Sequence, residues 1–427
     1  MDGDTFGRAL RRLRAQRGLS LRQLGSATSF DYTYISHVEH GRQPGSLRLA
    51  ERCDAALSGN GALISAYRSQ ERLAARLPAG NVDDWSEMLR RTFLAGTAAA
   101  AAGLGALDLP PAPGGPADPE AIAALRRVSA EYRRSYRSVP SSELMPAARA
   151  HLGRALAMRP GSRSAAQHAA ILSTAGEMAS LVAVLLMMDL GWRDQAQPYL
   201  DLCWKAARSL DDPELQAVTL GAKSFAVSYG AGRHQDGLEF AELGCEVAAT
   251  GASWETRAWV AAVASERHAS LGDERGCRER LAEARSALEH VPGDDSVWLG
   301  LGGFNGDKLL AYEGGDLVRL GKFREAEPLL DAAISRFDES SQRHKCTALL
   351  DRAEARFGAG EVDGSCADAS AALAMAFQVQ HAQNLSRLDT LSQRALATGS
   401  AAGRALRREV IAVKADSLDA KARGSES

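Results

Sequence analysis

Five glycines recur at a nearly constant spacing, and this spacing constrains the fold more than any other feature of the sequence. They are Gly191, Gly232, Gly272, Gly321 and Gly360, spaced 41, 40, 49 and 39 residues apart, each after an apolar segment of helical period. The residues five and twelve positions after each glycine are all Ala, Gly, Cys or Ser. Small residues are required at such offsets where two antiparallel helices pack closely and the next pair stacks behind them. The pattern therefore predicts a stack of helix pairs.

The composition favours helix along the whole chain. Of 427 residues, 45% are hydrophobic and only 6% aromatic, and helix-forming Ala, Leu, Arg and Glu outnumber β-branched residues. We expect an all-α protein: an N-terminal five-helix domain followed by an α-solenoid. The sequence has no run of eighteen consecutive apolar residues and does not begin with a basic and apolar signal segment. We therefore expect a cytoplasmic protein without a membrane partner.

No motif for catalysis, metal or cofactor binding emerges from the sequence. The six cysteines form no CxxC pair and no Cys/His cluster at metal-ligand spacing, so we expect no metal, no disulfide and no cofactor. The segment from Gly315 to Lys322 is one residue too long for a phosphate loop, and Phe323 stands where Ser or Thr would be needed. HExxH and GxSxG motifs are absent. The sequence indicates a protein that is not an enzyme.

The formal net charge of −2 conceals two regions of opposite sign. Residues 1–76 hold twelve arginines and seven acidic residues, a net charge of +5, which leaves −7 for the remainder. A basic module joined to an acidic body is typical of a nucleic-acid binder with a separate non-binding domain, although many solvated helix faces are as basic.

The basic region divides into five short helical segments. Each is bounded by a cap or a stop: Gly18, the capping box Ser20 to Gln23, Asp31, Gly41, Ser46 and the turn from Gly59 to Gly61. The third segment runs from Tyr32 to about Glu39, and the fifth ends near Arg76. Two short helices joined by a tight turn predict a helix-turn-helix, whose second helix is presented to the DNA major groove.

Two strings in this region carry a family resemblance. They are Leu19-Ser20-x-x-x-Leu24 and Tyr34-Ile35-Ser36-x-Val38-Glu39-x-Gly41-Arg42-x-Pro44. Over about the first 70 residues they resemble the XRE-type (Cro-like) repressors, and the later segment from Asp54 to Gly61 resembles the subgroup common in high-GC Gram-positive bacteria. We assign residues 1–78 to this DNA-binding domain. The sequence departs from the family in the turn, with Gly25 where Ala is usual and Ser29 where Gly is usual. Because Ser is strained at positive φ, we expect a wider turn.

The resemblance also implies which residues contact DNA. Aligned on Ile35-Ser36, the base-reading positions of the family fall on Tyr32, Thr33, Ser36 and His37. Their donors, acceptors and methyl group can read base edges, whereas the alternative for Tyr32 and Tyr34 is that they cover the core of the domain. Arg12, Arg42 and Arg48 are candidate phosphate contacts on electrostatic grounds. The implied partner is a double-stranded DNA operator.

Residues 79–117 are interpreted as a connection. The string from Leu89 to Leu94, with Arg90-Arg91 and an Ala-rich run to Leu107, has the form of a twin-arginine export signal. Such signals are read near the N-terminus, whereas a folded domain precedes this one, and the run is short and weakly apolar for a membrane span. We expect a connecting or dimer-packing helix and then an extended linker over residues 110–116.

Residues 118–427 are expected to hold the stacked helix pairs, with two further pairs over Asp118–Arg159 and Gly161–Leu190. The string from Leu320 to Ala326 resembles the loop and second helix of a tetratricopeptide repeat, and the spacing near 40 implies longer helices. Such a body offers a concave groove. The candidate effector-binding residues in its C-terminal half are Trp298, Asn305, Lys308, Tyr312, Arg352, Asn384 and Arg387. Their rings, cations and amides suit an apolar group, a carboxylate and a peptide backbone, although each alone is as consistent with a surface or packing role.

An XRE-type domain joined to a tetratricopeptide-like body resembles, in architecture, the peptide-responsive regulators grouped as RRNPP. The resemblance implies a homodimeric, sequence-specific transcriptional regulator whose body dimerises and senses a peptide or small-molecule effector. The alternative is a scaffold or adaptor whose body recruits a partner protein to DNA. A change of operator affinity caused by a small molecule or short peptide would distinguish the two.

Overall fold

The structure, a computed structural model, describes residues 6–39, 45–68, 117–291 and 303–424. Within these ranges the regular elements are helices, which confirms the all-α prediction. They form two compact units, a small N-terminal domain and a larger helical body. The predicted connection over residues 79–116 lies outside the described residues.

The N-terminal domain folds around the apolar sides of five helices. These are α1 (Phe6–Gln16), α2 (Leu21–Thr28), α3 (Tyr32–Glu39), α4 (Leu47–Ala56) and α5 (62–68). Ser20 and Gln23 form the predicted capping box of α2, and the hydroxyl of Ser46 accepts a hydrogen bond from the amide of Leu49 at the start of α4. The first four helices each bury a leucine or isoleucine completely: Leu10, Leu24, Ile35 and Leu49. The predicted end of the fifth helix near Arg76 lies outside the described residues.

The body is a stack of helix pairs, numbered here in chain order. Pair 1 is α6 (Pro119–Ser135) and α7 (Ser141–Met158), pair 2 is α8 (Ala165–Val184) and α9 (Arg193–Leu210), pair 3 is α10 (Pro213–Ala231) and α11 (His234–Ala249), and pair 4 is α12 (Trp254–Ser270) and α13 (Glu274–Leu288). Pair 5 is α14 (Gly306–Arg319) and α15 (Phe323–Arg336), pair 6 is α16 (Gln342–Gly358) and α17 (Val362–Gln378), and pair 7 is α18 (Ala382–Ala397) and α19 (Ala401–Gly424). The first helices of consecutive pairs contact one another, as in an α-solenoid.

The predicted turn glycines lie between the two helices of pairs 2 to 6. All five have left-handed backbones, with φ between 66° and 89°, which glycine adopts without a Cβ clash. A sixth, Gly399 with φ 75°, has the same place in pair 7. The ten small residues at the predicted offsets are all buried. At one of them, Gly244 in pair 3, a Cβ would lie 2.6 Å from Cγ2 of Val260 in pair 4. The predicted stack of helix pairs is confirmed.

One predicted pair is wrong. Asp118–Arg159 contains the expected pair, but Gly161–Leu190 contains the single helix α8, prolonged by a π-helical turn over Leu185–Asp189. This helix is apolar on all sides and carries no glycine turn that would divide it. It is long and apolar enough to cross a membrane, but most of it is buried inside the body. Its central position in the core of the body therefore accounts for its hydrophobicity.

The two ends of the stack are joined by a buried polar group, called here the closing cluster: Ser141, Asp189, Arg343 and the carbonyl of Val379. Arg343 Nε donates to Asp189 Oδ2 at 3.1 Å, and its Nη2 donates to Ser141 Oγ at 2.7 Å and to the Val379 carbonyl at 3.1 Å. Ser141 Oγ donates to Asp189 Oδ2 at 2.6 Å. Because these bonds join pairs 1 and 2 to pair 6 and to the turn that follows it, the solenoid closes on itself.

Candidate nucleic-acid interface and ligand cavity

The helix-turn-helix has a turn of only three residues, 29–31. Ser29 ends α2 in the left-handed conformation, with φ 58° and ψ 33°. Asp31 directly precedes α3, and its Oδ1 accepts hydrogen bonds from the amides of Thr33 at 2.7 Å and Tyr34 at 3.3 Å. The expectation of a wider turn is wrong, because Ser29 adopts the positive φ that the tight turn requires.

Gly25 explains the other departure from the family pattern. A Cβ at this position would lie 2.9 Å from the carbonyl oxygen of Phe30 and 3.4 Å from Cβ of Tyr32. The turn therefore folds back closely onto α2, and alanine at position 25 would push the start of α3 away.

The four predicted base-reading residues are all at least partly exposed. Tyr32 is 44% exposed and Thr33 is exposed, whereas Ser36 and His37 are half-buried. The guanidinium of Arg22 lies 5.4 Å from the centroid of the Tyr32 ring. By contrast, Tyr34 packs against the core of the domain. The core-covering alternative therefore describes Tyr34 and not Tyr32.

Two of the three candidate phosphate contacts can be placed. Arg12 on α1 and Arg48 on α4 are exposed, while Arg42 lies outside the described residues. Exposed guanidinium groups are accessible to the phosphate oxygens of DNA.

An ion pair fixes α3 against α1. Arg14 Nε and Nη2 donate to the two carboxylate oxygens of Glu39 at 2.6 and 2.7 Å, and Nη1 donates to the carbonyl of Leu19 at 2.8 Å. Glu39 is buried at the end of α3, and its hydrogen bonds raise the pKa of Arg14. This bidentate ion pair holds the recognition helix α3 in one orientation.

The variant Glu39→Gln should loosen α3. A neutral amide can accept only one of the two guanidinium hydrogen bonds, so we expect the opening free energy of α3 to fall by about 2 kcal/mol. Hydrogen exchange of the peptide covering residues 32–39 in the full chain measures this value. Glu51→Gln, at an exposed position of α4, is the matched control. Equal exchange in the two variants would contradict the role given to the ion pair.

The body contains a cavity of about 440 Å³. The first helices of pairs 2 to 7 all contribute to its lining. Seven aromatic residues line it: Tyr136, Phe225, Tyr229, Trp259, Phe304, Tyr312 and Phe337. Its volume falls in the range of small-molecule sites, and a mainly apolar wall with a few polar groups is typical of them.

The predicted effector-binding residues divide between this cavity and other places. Lys308, Tyr312, Asn384 and Arg387 line the cavity. Asn305 is exposed and caps α14, and Arg352 donates to Asp331 and Asp368. Trp298 lies outside the described residues. The structure therefore brings four of the seven together.

The carboxylates that line the cavity are paired with arginines. Arg387 donates to Asp351 at 2.5 Å and to Glu354 at 3.1 Å, and Arg319 donates to Glu266 at 2.9 Å. Burial alone would raise the pKa of Glu266, but Arg267 and Arg319 outweigh burial and hold this pKa at about 2. Each of these acids therefore already has an arginine partner within the protein.

Lys308 and His344 form a different kind of polar group in the cavity wall. Lys308 is only 7% exposed, and its ammonium donates to the backbone carbonyl of Gly303. Burial, assisted by the positive charge of Arg137, lowers the pKa of Lys308 to about 7. His344 Nδ1 is buried and has no hydrogen-bond partner among the described residues. Burial, followed by the charge of Lys308, lowers the pKa of His344.

Several cavity residues on α16 were not predicted from the sequence. Arg343, Thr347, Asp351 and Glu354 line the cavity at helical spacing. Their spacing of three to four residues, which places polar side chains on one side of α16, was the signal that could have identified them. Within the described ranges, no group of three or more His, Cys, Asp or Glu side chains is arranged to hold a metal ion.

Comparison with known proteins concerns the N-terminal domain. Residues 5–67 match a family model described as a helix-turn-helix domain, and this span covers α1 to α4 and all but the last described residue of α5. No curated protein matches the chain. The tetratricopeptide-like and RRNPP resemblances stay predictions. The match and the helical fold of this region together indicate a helix-turn-helix domain of the kind found in DNA-binding regulators.

Proposed function

We propose that the protein is a homodimeric, sequence-specific transcriptional regulator whose helical body binds a peptide or small-molecule effector. The observation that carries this proposal is the combination of a helix-turn-helix domain with a body that contains a cavity. The first part supplies DNA recognition, and the second supplies a place for a signal.

In this proposal α3 enters the major groove. Tyr32 and Thr33 lie at its N-terminus, which is the end that contacts base edges in helix-turn-helix proteins. Arg12 and Arg48 supply phosphate contacts that position the domain without reading sequence. The net charge of +5 over residues 1–76 attracts DNA regardless of its sequence.

The effector acts through the packing of the helix pairs. Since six pairs line the cavity, a bound molecule contacts several of them at once and favours one arrangement of the stack over another. A tenfold change in operator affinity requires a difference of only about 1.4 kcal/mol between the two arrangements.

The proposal is tested by selecting bound sequences from random DNA duplexes with the full-length protein. We expect one enriched sequence, and Thr33→Ala together with His37→Ala should remove the enrichment. Glu51→Ala, exposed on α4, is the control that should retain it. Enrichment of no sequence would contradict the regulator and favour the adaptor.

A dimer is expected because one helix-turn-helix domain buries too little surface for tight specific binding. The selected operator should be a near-palindrome, with half-sites one or two helical turns apart, about 34 Å per turn. Sedimentation of the full chain at micromolar concentration should give a dimer. A monomer together with an asymmetric operator would contradict this prediction.

A further inference from the structure

Six charged side chains on the first helices of pairs 4 to 7 form a network along the cavity, called here the balanced network. Its members are Glu266, Arg267, Arg319, Asp351, Glu354 and Arg387. Arg267 and Arg319 donate to Glu266. Arg387 donates to Asp351 and Glu354. Because the network contains three acidic side chains and three arginines, its formal charges cancel.

Two further cations line the cavity. Arg343 donates to Asp189 in the closing cluster, and Lys308 donates to the carbonyl of Gly303. Burial lowers the pKa of Lys308 to about 7, so roughly half of this side chain is charged at neutral pH. The lining is therefore close to neutral as a whole. A charged group on a ligand would lose its water here without gaining a full countercharge, which is costly.

The two halves of the balanced network meet at Gly315 on α14. A Cβ at this position would lie 2.9 Å from Arg319 Nη1 and 2.9 Å from Asp351 Oδ2, so a donor and an acceptor border one point. The hydrogen bonds within the network use the other atoms, Nη2 of Arg319 and Oδ1 of Asp351. All three residues line the cavity, and neither Nη1 nor Oδ2 is among the fully buried polar atoms that lack a partner in the described part of the chain. A ligand can therefore reach a donor and an acceptor side by side.

An amide group can satisfy both atoms at once if its carbonyl and its N–H point to the same side. Primary carboxamides and lactams have this arrangement. A secondary amide in an open chain, such as a peptide bond, is trans, so its carbonyl and N–H point in opposite directions. A carboxylate offers only acceptors, and an ammonium offers only donors. The geometry at Gly315 thus favours a primary carboxamide or a lactam over a linear peptide.

We propose that the cavity binds an uncharged amphipathic ligand with a primary carboxamide or lactam group, whose carbonyl accepts from Arg319 and whose N–H donates to Asp351. This inference rests on the proposed effector function and names the chemical class of the effector. The apolar part of the ligand lies beside the amide, because Ala311, Tyr312 and Val318 line the cavity at helical spacing from Gly315 on α14.

The first test compares ligands by isothermal calorimetry on the full-length wild-type protein at pH 7. The probes are octanamide, a γ-lactam with a pentyl chain, N-methyloctanamide, octanoate and octylamine. We expect octanamide or the lactam to bind about tenfold more tightly than each of the other three, because only these two present an acceptor and a donor on one side. Equal binding of octanamide and N-methyloctanamide, tighter binding of octanoate or octylamine, or no binding of either preferred probe would overturn the proposal.

The second test is the variant Gly315→Ala. Its Cβ would occupy the point between Arg319 Nη1 and Asp351 Oδ2 and force them apart, so affinity for the preferred amide should fall about tenfold. Gly153→Ala on α7, where a Cβ would meet nothing within 4 Å, is the matched control and should bind as the wild type does. Alanine also favours helix over glycine at both positions. Unchanged affinity in Gly315→Ala would overturn the proposal, and the ligand comparison on the wild-type protein decides it if this variant fails to fold.

Operator binding, measured separately by fluorescence anisotropy, distinguishes failure of this inference from failure of the proposed function. An amide that occupies the cavity but leaves operator affinity unchanged would overturn effector control and leave the amide site in place. An operator response to octanoate or octylamine that Gly315→Ala does not alter would overturn the amide site and leave the regulator in place.

Discussion

Alanine at Tyr32, Thr33 or His37 should weaken binding to the selected operator by about 1–3 kcal/mol, while binding to random duplex DNA changes little. These residues lie on the partly exposed side of α3, whereas Ile35 and Val38 on its other side are buried in the domain core. Removing a base contact affects the specific complex alone. Fluorescence anisotropy with both duplexes at one fixed salt concentration measures the difference.

Arg12→Ala and Arg48→Ala are the matched comparison for this prediction. Loss of a phosphate contact should weaken both complexes alike and reduce the slope of log affinity against log salt concentration by about one. If the α3 variants lost equal affinity for operator and random DNA, the assignment of base-reading residues would be wrong.

Arg343→Met should destabilise the body by about 3–5 kcal/mol. The change leaves the carboxylate of Asp189 buried without its cation, and it also removes donors from Ser141 and from the carbonyl of Val379. Urea unfolding of the full chain, followed by the fluorescence of its tryptophans, should show the transition of the body at a lower midpoint.

Arg275→Met provides the control, because Arg275 pairs with Glu279 on the exposed side of α13. We expect a change within about 1 kcal/mol for this surface pair. Asp189→Asn combined with Arg343→Met should recover part of the loss, since the unpaired charge is then gone. A midpoint in Arg343→Met equal to that of Arg275→Met would show that the closing cluster does not stabilise the body.

The helix pairs were predictable because their turns need a particular backbone conformation. Glycine adopts that conformation readily, so the spacing of the glycines in the sequence located five of the six turns. Gly399 did not match the pattern of small residues, because the residues five and twelve positions after it are Arg404 and the exposed Ile411. Because α19 is the last helix of the described stack, no further described pair packs against it. Small residues are therefore not required at these two positions.

The ligand cavity was predictable only in part, because it depends on which side of each helix faces inward. Lys308 and Asn384 could be selected as polar residues in the C-terminal pairs, and both line the cavity. Arg352 has the same chemistry, but its position on α16 directs it to Asp368 on α17. His344 was not selected, since a single histidine carries no signal until its neighbours are known.

The recognition turn shows how a local rule can be wrong about a turn. Because Ser is strained at positive φ, the sequence predicted a wider turn, but Ser29 adopts φ 58° in a turn of three residues. Gly25 allows the chain to pass close to α2 there. That outcome depends on a contact between two helices, which no single position reveals.

The closing cluster limits how this protein can change during evolution. An open solenoid gains or loses a repeat at modest cost, because each repeat contacts only its neighbours. Here the guanidinium of Arg343 must reach Asp189, which lies 154 positions earlier in the chain. Inserting or deleting one helix pair between them would move the two residues out of register and open the ring. The number of pairs between these residues is therefore constrained by one buried ion pair.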